Sequence, residues 1–291
     1  MNLAAALAFA QALGVARLDA QLLLLHALGR PDTDRAWLLA HDDDAVTPDV
    51  AFAFNGFCMR RAAGEPLAYI VGSKEFFGLT LQVDARVLIP RPDTETLVRW
   101  ALDKLQAWQP DTAASRSGDG PHILDLGCGS GAIVLAIADH LAGAGPNTRI
   151  LATDASSAAL ELARENFQRL RRPNGPAVDF LQGDWFDPVT GQFDLIVSNP
   201  PYIASADPHL AALAHEPLSA LAAGSDGLGD LRKIIAAAPR YLRVGGWLML
   251  EHGHDQAASV QALLTLHGFE QVQGERDLSG TSRCAGGRWM H

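Results

Sequence analysis

The chain has 291 residues, and its 48% hydrophobic content is sufficient for a large buried core. This length favours one large domain together with one small domain. The formal net charge of -10 argues against a dedicated binder of bare nucleic acid, which normally presents a basic face. Three widely spaced cysteines without a C-x-x-C pair argue against a disulfide framework or a zinc ribbon, and they favour a reducing cytoplasm.

Residues 1 to about 75 are predicted to be helical. The opening stretch MNLAAALAFAQALGVA lacks a basic flank and the roughly 20 apolar residues of a membrane-spanning helix, so it is interpreted as an ordinary helix. Leucines recur at steps of three and four between Leu18 and Leu28, which places them on one face of a second helix. Asp32 to Leu39 predicts a short helix, and Thr47-Pro48 predicts the cap and first position of another.

The texture of the sequence changes after this helical part. Between Ala68 and Pro90, aromatic and β-branched residues flank Gly78, which predicts a β-hairpin that links two domains. Residues 111–121 are predicted to form a mobile surface loop. From His122 onward, segments with strand and helix character alternate, which predicts a mostly parallel sheet with helices on both faces. Ligands of such sheets bind beyond the carboxyl ends of the strands.

A glycine-rich segment, DLGCGSGAI, joins the first strand of this sheet to a helix. It contains the candidate cofactor-binding residues Gly127, Cys128, Gly129, Ser130 and Gly131. Glycines let the backbone turn tightly and approach a ligand closely. The pattern also satisfies a loose dinucleotide-binding fingerprint, and a plain strand-to-helix turn is the alternative interpretation.

Acidic residues follow the next two strands. Asp154 closes RILATD, where a carboxylate can accept hydrogen bonds from two ribose hydroxyls; the alternative is a cap for the following helix. The segment QGDWF places Asp184 beside Trp185. A carboxylate that accepts from an exocyclic amine, next to a flat ring, suits an adenine, although a tryptophan is more often a core residue.

The segment SNPPYI, Ser198 to Ile203, follows the apolar run FDLIV. The two prolines, Pro200 and Pro201, fix the backbone and hold Asn199 extended; a simple strand terminator is the alternative. The Asn199 side-chain oxygen and the Pro200 carbonyl could accept both hydrogens of a planar –NH2 group, and Tyr202 could stack on its face. A nicotinamide enzyme would explain the glycine loop and Asp154, whereas a methyl donor with an adenosine part explains all four features.

With these motifs the chain resembles class I S-adenosylmethionine-dependent methyltransferases. More narrowly it resembles the HemK/PrmC family, the glutamine-N5 methyltransferases of class I peptide chain release factors. The resemblance covers almost the whole chain and is carried by LDAQLLLLHALGR, RRAAGEPLAYIVGSKEFFGL, VLIPRPDTETLV, ILDLGCGSGAI, QGDWF, IVSNPPYI, EPLSAL, DGL, GGWLMLEHG and DLSG. NPPY alone is shared with adenine-N6 methyltransferases, but PRPDTE upstream of SNPPYI is far more specific.

The resemblance implies a Rossmann-like α/β fold with a seven-stranded sheet. It implies an N-terminal helical substrate-binding domain over residues 1–75, a hairpin linker over 76–92 and a methyltransferase domain over 93–291. It implies S-adenosyl-L-methionine as the methyl donor, with S-adenosyl-L-homocysteine as the product. The implied enzyme is a cytoplasmic monomer that modifies class I release factors and binds neither nucleic acid nor a membrane directly.

The resemblance also implies a role for each candidate residue. The loop from Gly127 to Gly131 would lie against the methionine part of the cofactor, with Asp154 at the ribose. Asp184 and Trp185 would lie at the adenine. The segment from Asn199 to Tyr202 would hold the substrate glutamine, with Asn199, Pro200 and Tyr202 as the catalytic residues and Asn199 also against the cofactor.

Other functions stay open from the sequence. A glutamine methyltransferase of a ribosomal protein is one, although that family tends to read NPPYVD where this chain has Ile203 after the tyrosine. An adenine-N6 methyltransferase, a nicotinamide oxidoreductase and a non-catalytic binding module are the others. No metal is expected, because the H-x-H pair His252 and His254 has no evident third ligand. Glu251 could be structural or could face the site.

Overall fold

A computed structural model describes residues 1–107, 120–143 and 148–291 of the chain. These residues form two compact units, Met1–Ser73 and Lys74–His291. The loop expected at residues 111–121 lies mostly outside the described residues. Only its last two residues, Gly120 and Pro121, are described.

The smaller unit is helical, as predicted. Its helices are α1 (Leu3–Ala12), α2 (Arg17–Ala27), α3 (Arg35–Ala40), α4 (Pro48–Ala62) and α5 (Leu67–Val71). Thr47 accepts a hydrogen bond from Val50 N and caps α4 with Pro48 in its first turn, which confirms that predicted start. In α2 the most deeply buried leucines are consecutive, Leu23 to Leu25, while Leu18 is half exposed.

A β-hairpin follows, and its first strand starts at Ser73, three residues before the linker expected at residues 76–92. Its strands are β1 (Ser73–Phe76) and β2 (Leu79–Gln82), and Gly78 lies in the turn with a φ of 79°. The aromatic and β-branched residues from Tyr69 to Val71 belong to α5 instead. That helix starts after Pro66 and ends at Gly72, whose left-handed φ of 74° closes it.

The larger unit is built around a seven-stranded sheet. Its strands are β3 (His122–Leu126), β4 (Arg149–Asp154), β5 (Val178–Gln182), β6 (Phe193–Ser198), β7 (Leu242–Glu251), β8 (Glu270–Arg276) and β9 (Ser282–Arg288). Its helices are α6 (Glu95–Gln106), α7 (Ala132–His140), α8 (Ser157–Leu170), α9 (Gly229–Ala237) and α10 (Ala257–Leu266). Short 3-10 turns span Pro92–Thr94, Pro208–Leu213, Leu218–Ala220 and Ala238–Arg240.

The strand order is β5-β4-β3-β6-β7-β9-β8, in which β9 runs antiparallel to both neighbours and the other pairings are parallel. This confirms the predicted α/β architecture. It also places the ends of β5, β4, β3 and β6 side by side, where the four sequence motifs occur. Ligand sites of such sheets lie beyond these ends.

The central strands β3 and β6 are buried on both faces, which explains why they are nearly continuous apolar runs, whereas the edge strands β5 and β8 are largely exposed. Successive residues of β3 belong to different cores: Ile123 packs with Val134 and Val197, whereas Leu124 packs with Ile196 and Leu250. This alternation follows from the two-residue period of a strand. Within the described residues, none of the helices has the length and apolar character needed to cross a membrane.

Candidate active site

A cavity of about 330 Å³ opens at the carboxyl ends of the central strands, entirely within the larger unit. This volume lies at the lower end of the range for small-molecule sites, roughly 300–1,000 Å³. The sequence-predicted residues that line it are Gly127, Cys128, Gly129, Ser130, Asp154, Asp184, Trp185, Asn199 and Pro201. Three other predicted residues, Gly131, Pro200 and Tyr202, are not part of the lining.

The glycine loop is fastened to β4 by its backbone. The amides of Gly127 and Cys128 donate to the Thr153 carbonyl at 2.8 and 2.9 Å. Gly127 and Gly129 have φ angles of 69° and 54°, a left-handed backbone that favours glycine. The Cys128 thiol is buried, and burial raises its pKa well above the ordinary value, so it is not a reactive thiolate.

Asp154 ties the end of β4 to the glycine loop. Its Oδ2 accepts from Gly129 N at 2.9 Å, and its Oδ1 accepts from Ser156 N at 2.8 Å. Burial raises the pKa of this carboxyl, and the two amide hydrogen bonds oppose that effect. The side-chain cap of α8 is Ser156 rather than Asp154, since Ser156 accepts from Ala159 N. Each Asp154 oxygen retains acceptor capacity beside the cavity.

Trp185 packs its ring against the glycine loop. A Cβ atom at Gly127 would lie 3.2 Å from Trp185 Cζ3, so a side chain there would require the ring to shift by a few tenths of an ångström. Trp185 has a φ of 45°, which is unusual for a bulky residue, and its carbonyl accepts from Thr153 Oγ1 at 3.2 Å. Its neighbour Asp184 is exposed at the same wall of the cavity.

Asn199 lies where β6 enters the cavity. The preceding residue, Ser198, is fully buried and donates its hydroxyl to the Leu126 carbonyl at 2.7 Å, which joins the ends of β6 and β3. Asn199 Nδ2 donates to Thr94 Oγ1 at 3.2 Å. Because the amide nitrogen is committed to Thr94, the Oδ1 acceptor faces away from that hydroxyl.

Thr94 is a candidate site residue that the sequence did not indicate. It is buried, it lies in the PRPDTE segment immediately before α6, and it also lines the cavity. Thr94 and Asn199 are separated by 105 residues, so no local pattern indicates their contact. The sequence signal that could have found it is PRPDTE itself, which carried the resemblance without a residue-level role.

Glu251 lies directly behind the NPPY segment. It is fully buried at the end of β7, and its Oε1 accepts from the Tyr202 hydroxyl at 3.2 Å. Burial raises its pKa to about 7; the hydroxyls of Thr94 and Tyr202 lower it, and Asp93 raises it. Burial, followed by the charge of Glu251, raises the pKa of Tyr202. The glutamate that the sequence left open therefore adjoins the candidate substrate-binding segment.

A second buried glutamate fastens one wall of the cavity. Glu216 Oε2 accepts from Ile89 N at 3.1 Å, and its Oε1 pairs with Arg91 Nη2 at 2.5 Å. The following Pro217 and Ser219 line the cavity, as do neighbours of Ile89. Glu216 thereby fixes the segment after NPPY against the segment before α6.

Among the residues that the structure describes, no group of three or more acidic, histidine or cysteine side chains could hold a metal ion. His252 is buried, and its Nδ1 lies 2.8 Å from the Gly253 carbonyl.

Comparisons with known proteins identify the family. Two family models match the chain: the PrmC N-terminal domain over residues 3–72 and the methyltransferase small domain over residues 113–223. The release factor glutamine methyltransferase of Bordetella pertussis is 46% identical over 278 residues, covering 94% of this chain and 95% of that relative. The chain belongs to the release factor glutamine methyltransferase family. Relatives of the same name from Xylella fastidiosa and Vibrio cholerae are 45% and 43% identical to this chain. Each alignment covers 94% of this chain, and it covers 94% of the Xylella fastidiosa protein and 89% of the Vibrio cholerae protein.

Solved structures support the fold assignment. A methyltransferase from Pyrococcus furiosus aligns with a TM-score of 0.52 at 20% identity, over 80% of this chain and 99% of that one. The 16S rRNA N2 G1207 methyltransferase of T. thermophilus, solved with AdoMet and guanosine, aligns with a TM-score of 0.51 at 17% identity, over 75% of this chain and 49% of that one. The larger unit therefore has the Rossmann-like class I methyltransferase fold, as the sequence predicted.

Proposed function

We propose that this family member transfers a methyl group from S-adenosyl-L-methionine to the N5 side-chain nitrogen of the glutamine in the Gly-Gly-Gln motif of class I peptide chain release factors. The observation that carries the proposal is the placement of Asn199. Its amide donates to Thr94 at 3.2 Å and lines the same cavity as the glycine loop. The 46% identity with the Bordetella pertussis release factor glutamine methyltransferase supports the choice of substrate.

The cavity fits the proposed methyl donor. A Cβ atom at Gly129 would have no neighbour within 4 Å, so its left-handed backbone leaves space for a ligand. The Asp154 oxygens offer acceptors for ribose hydroxyls, and Asp184 and Trp185 offer an acceptor and a flat ring for an adenine. When bound, S-adenosyl-L-methionine supplies a sulfonium methyl group that is already activated toward nucleophiles.

The main task left to the protein is to position the substrate amide. A glutamine amide nitrogen is a poor nucleophile, because its lone pair is delocalised into the carbonyl. Correct placement of reacting groups contributes roughly 7–11 kcal/mol in favourable model systems. In our proposal, Asn199 Oδ1 and the Pro200 carbonyl accept the two amide hydrogens, and the Pro200-Pro201 pair keeps both acceptors in place.

These acceptors also favour the chemical step itself. Positive charge grows on the amide nitrogen as it forms a new bond, so its N–H groups become stronger donors. Acceptors that are already in place stabilise that charge more in the transition state than in the ground state. No strong general base is needed beforehand, since the nitrogen can lose its proton afterwards. The ring of Tyr202 is proposed to stack on the amide face.

The proposal extends to the rest of the chain. Residues 1–75 would form the domain that grips the release factor, 76–92 a hairpin linker, and 93–291 the methyltransferase domain. We expect a cytoplasmic monomer that needs neither nucleic acid nor a membrane for activity. The three cysteines are free and buried, which is compatible with a reducing compartment.

A methyl-transfer assay tests this function. The purified protein is incubated with labelled S-adenosyl-L-methionine and an unmodified class I release factor, and the methyl group is located by peptide mass spectrometry. We expect one methyl group on the Gly-Gly-Gln glutamine. A release factor in which that glutamine is replaced by alanine is the matched control, and it should remain unlabelled.

Other outcomes would redirect the proposal. Label on a ribosomal protein would retain the methyl donor and the amide chemistry but replace the substrate. Label on adenine in nucleic acid would assign the NPPY segment to a base amine. Label on other residues of the release factor would contradict the proposed geometry of Asn199.

A further inference from the structure

The surroundings of Glu251 are unusual for a fully buried carboxylate. Oε1 accepts one hydrogen bond, from Tyr202, and Oε2 has no formed hydrogen bond within the described chain. A cation, Arg283, lies on the neighbouring strand β9, and its charge lowers the pKa of Glu251 against the larger effect of burial. Its guanidinium is paired with Asp93 at 2.9 Å and Asp277 at 3.1 Å, so it does not form an ion pair with Glu251.

Stability alone does not account for a glutamate at this position. A buried charge without a full set of partners destabilises the folded state, and an apolar residue of similar volume often restores stability. Groups facing Glu251 are Thr94 and Asp93 before α6, Tyr202 after β6, and Arg283 and Cys284 on β9. None of them is an unpaired cation, and Asp93 adds repulsion. Such a residue is a candidate for a functional role.

The hydrogen bonds around Glu251 have a defined direction when it is ionised. A carboxylate only accepts, so the Tyr202 hydroxyl must donate to it. The nearby Thr94 hydroxyl has a single proton, and the carboxylate attracts that proton. The Thr94 oxygen is then left to accept, so Asn199 must present its NH2 group to Thr94 and its Oδ1 to the other side. Without the carboxylate, Thr94 could donate to Asn199 and reverse the amide.

We propose that Glu251 is a positioning residue that orients both polar side chains of the NPPY segment, Tyr202 directly and Asn199 through Thr94. The orientation of Asn199 matters because its accepting oxygen, not its NH2 group, must meet the N–H groups of the substrate amide. The catalytic consequence rests on the proposed function. The orientation itself is a property of this chain without substrate.

Two substitutions at Glu251 test the catalytic consequence, and one at the adjacent His252 is the control. Glu251→Met removes both acceptors at similar volume, and Glu251→Gln keeps one acceptor. We expect kcat for release factor methylation to fall by about ten- to hundredfold in Glu251→Met, as for residues that orient a reactive group, and by less in Glu251→Gln. Affinity for the release factor, measured with S-adenosyl-L-homocysteine present, should change little. His252→Gln, equally buried beside it, should keep kcat and serves as the control.

A mutant cycle separates positioning from general structure. Suppose that Glu251 acts through the hydroxyls of Thr94 and Tyr202. In a protein that already carries Thr94→Val and Tyr202→Phe, adding Glu251→Met should then lower kcat by less than about twofold. A merely structural glutamate would show its full effect in that background. Thr94→Ser retains the hydroxyl and should lose less activity than Thr94→Val.

Nuclear magnetic resonance tests the orientation without turnover. The Asn199 side-chain NH2 signal is assigned by its disappearance in Asn199→Ala. Its chemical shift in the wild-type protein should change with a midpoint near pH 7, the pKa of Glu251, and the change should vanish in Glu251→Gln.

The kinetic test and the nuclear magnetic resonance test can fail independently of each other. If the wild-type protein does not methylate a release factor, the proposed function fails, and the Asn199 signal still decides the inference. If the wild-type protein is active but the pH-dependent change of the Asn199 signal is the same in Glu251→Gln, the inference is overturned. It is also overturned if the loss of kcat in Glu251→Met is fully explained by a smaller folded fraction of that variant.

Discussion

Two buried glutamates near the cavity differ in what surrounds them. Glu216 uses both oxygens, one on the Ile89 amide and one on the Arg91 guanidinium. Glu251 is buried more completely, yet within the described residues its Oε2 has no hydrogen-bond partner and it forms no ion pair. A satisfied buried carboxylate fastens two segments together, whereas an unsatisfied one destabilises the fold where it sits. The comparison separates a residue that holds the site together from one that orients the groups inside it.

The difference also reflects position in the fold. Glu216 lies after β6, between the 3-10 turns Pro208–Leu213 and Leu218–Ala220 and outside the sheet. Glu251 ends a central strand whose backbone is held by β6 and β9 on either side. A strand end of this kind is stable enough to tolerate a costly side chain, and such positions are where functional residues of parallel sheets occur.

The largest expected effect is at Asn199, the end point of the interactions that start at Glu251. Asn199→Ala removes the acceptor proposed for the substrate amide, and we expect kcat to fall by about 10²–10³-fold, as for other preorganised polar groups. Affinity for S-adenosyl-L-methionine, measured by calorimetry, should change far less. Turnover equal to that of the wild-type protein would disprove the proposed role of Asn199.

The next largest expected effect is a loss of folding stability when Glu216 is replaced. Glu216→Ala leaves the Ile89 amide and Arg91 without their partner, so the free energy of unfolding in urea should fall by about 1–3 kcal/mol. Arg91 is about one-third exposed, so water limits the penalty. Glu161→Ala removes an acid that is 70% exposed and should change stability by less than about 0.5 kcal/mol.

Glu251→Met should behave in the opposite way to Glu216→Ala. It should be at least as stable as the wild-type protein at pH 8, because it removes an unsatisfied buried charge. If both glutamate variants lost stability equally, the distinction between the two residues would be wrong.

The sequence was informative where structure follows from local patterns. Runs such as HILDL and FDLIVS predicted strands because both faces of this sheet are buried, and Thr47-Pro48 predicted the start of α4 because capping is local. The run from Leu22 to Leu25 shows the limit, since four consecutive leucines do not reveal which of them face the core. The aromatic and β-branched residues from Tyr69 to Val71 suggested a strand, but the flanking Pro66 and Gly72 bound them as helix α5.

The site was predicted in part for the same reason. Residues that directly follow strands, such as Asp154 and Asn199, stand out because the carboxyl ends of parallel strands meet. Thr94 and Arg91 do not, because their contacts join segments more than 100 residues apart. Glu251 was visible as an acid at a strand end, but its role depends on which neighbours pack behind it, and no spacing rule gives that.

A fourth prediction concerns the pH dependence of stability. Burial raises the pKa of both Asp125 and Glu251 to about 7. The folded state therefore binds these protons more tightly than the unfolded chain, whose carboxyls have a pKa near 4. Their contribution to stability is present at about pH 4, falls as pH rises through 7 and is then lost.

Substitutions isolate this contribution from the other carboxyls. Asp125→Asn and Glu251→Gln should match the wild-type stability near pH 4 and exceed it by about 1 kcal/mol or more at pH 8, measured by urea unfolding across that range. Glu216→Gln is the comparison, and it should show no such gain. A difference that grows toward low pH would have the wrong sign and would refute the burial argument.

The smallest expected effect is at Gly127, on the cofactor side of the cavity. Gly127→Ala places a side chain on a left-handed backbone, which destabilises the fold by about 1 kcal/mol. The new methyl group also lies 3.2 Å from the Trp185 ring. Gly191→Ala has the same strain, with a φ of 88°, but nothing within 4 Å of the new methyl group. The two variants should therefore lose similar stability in urea, while Gly127→Ala alone should weaken S-adenosyl-L-methionine binding, because Trp185 must move. Equal cofactor affinity in both variants would mean that the contact between Trp185 and the glycine loop does not shape the binding site.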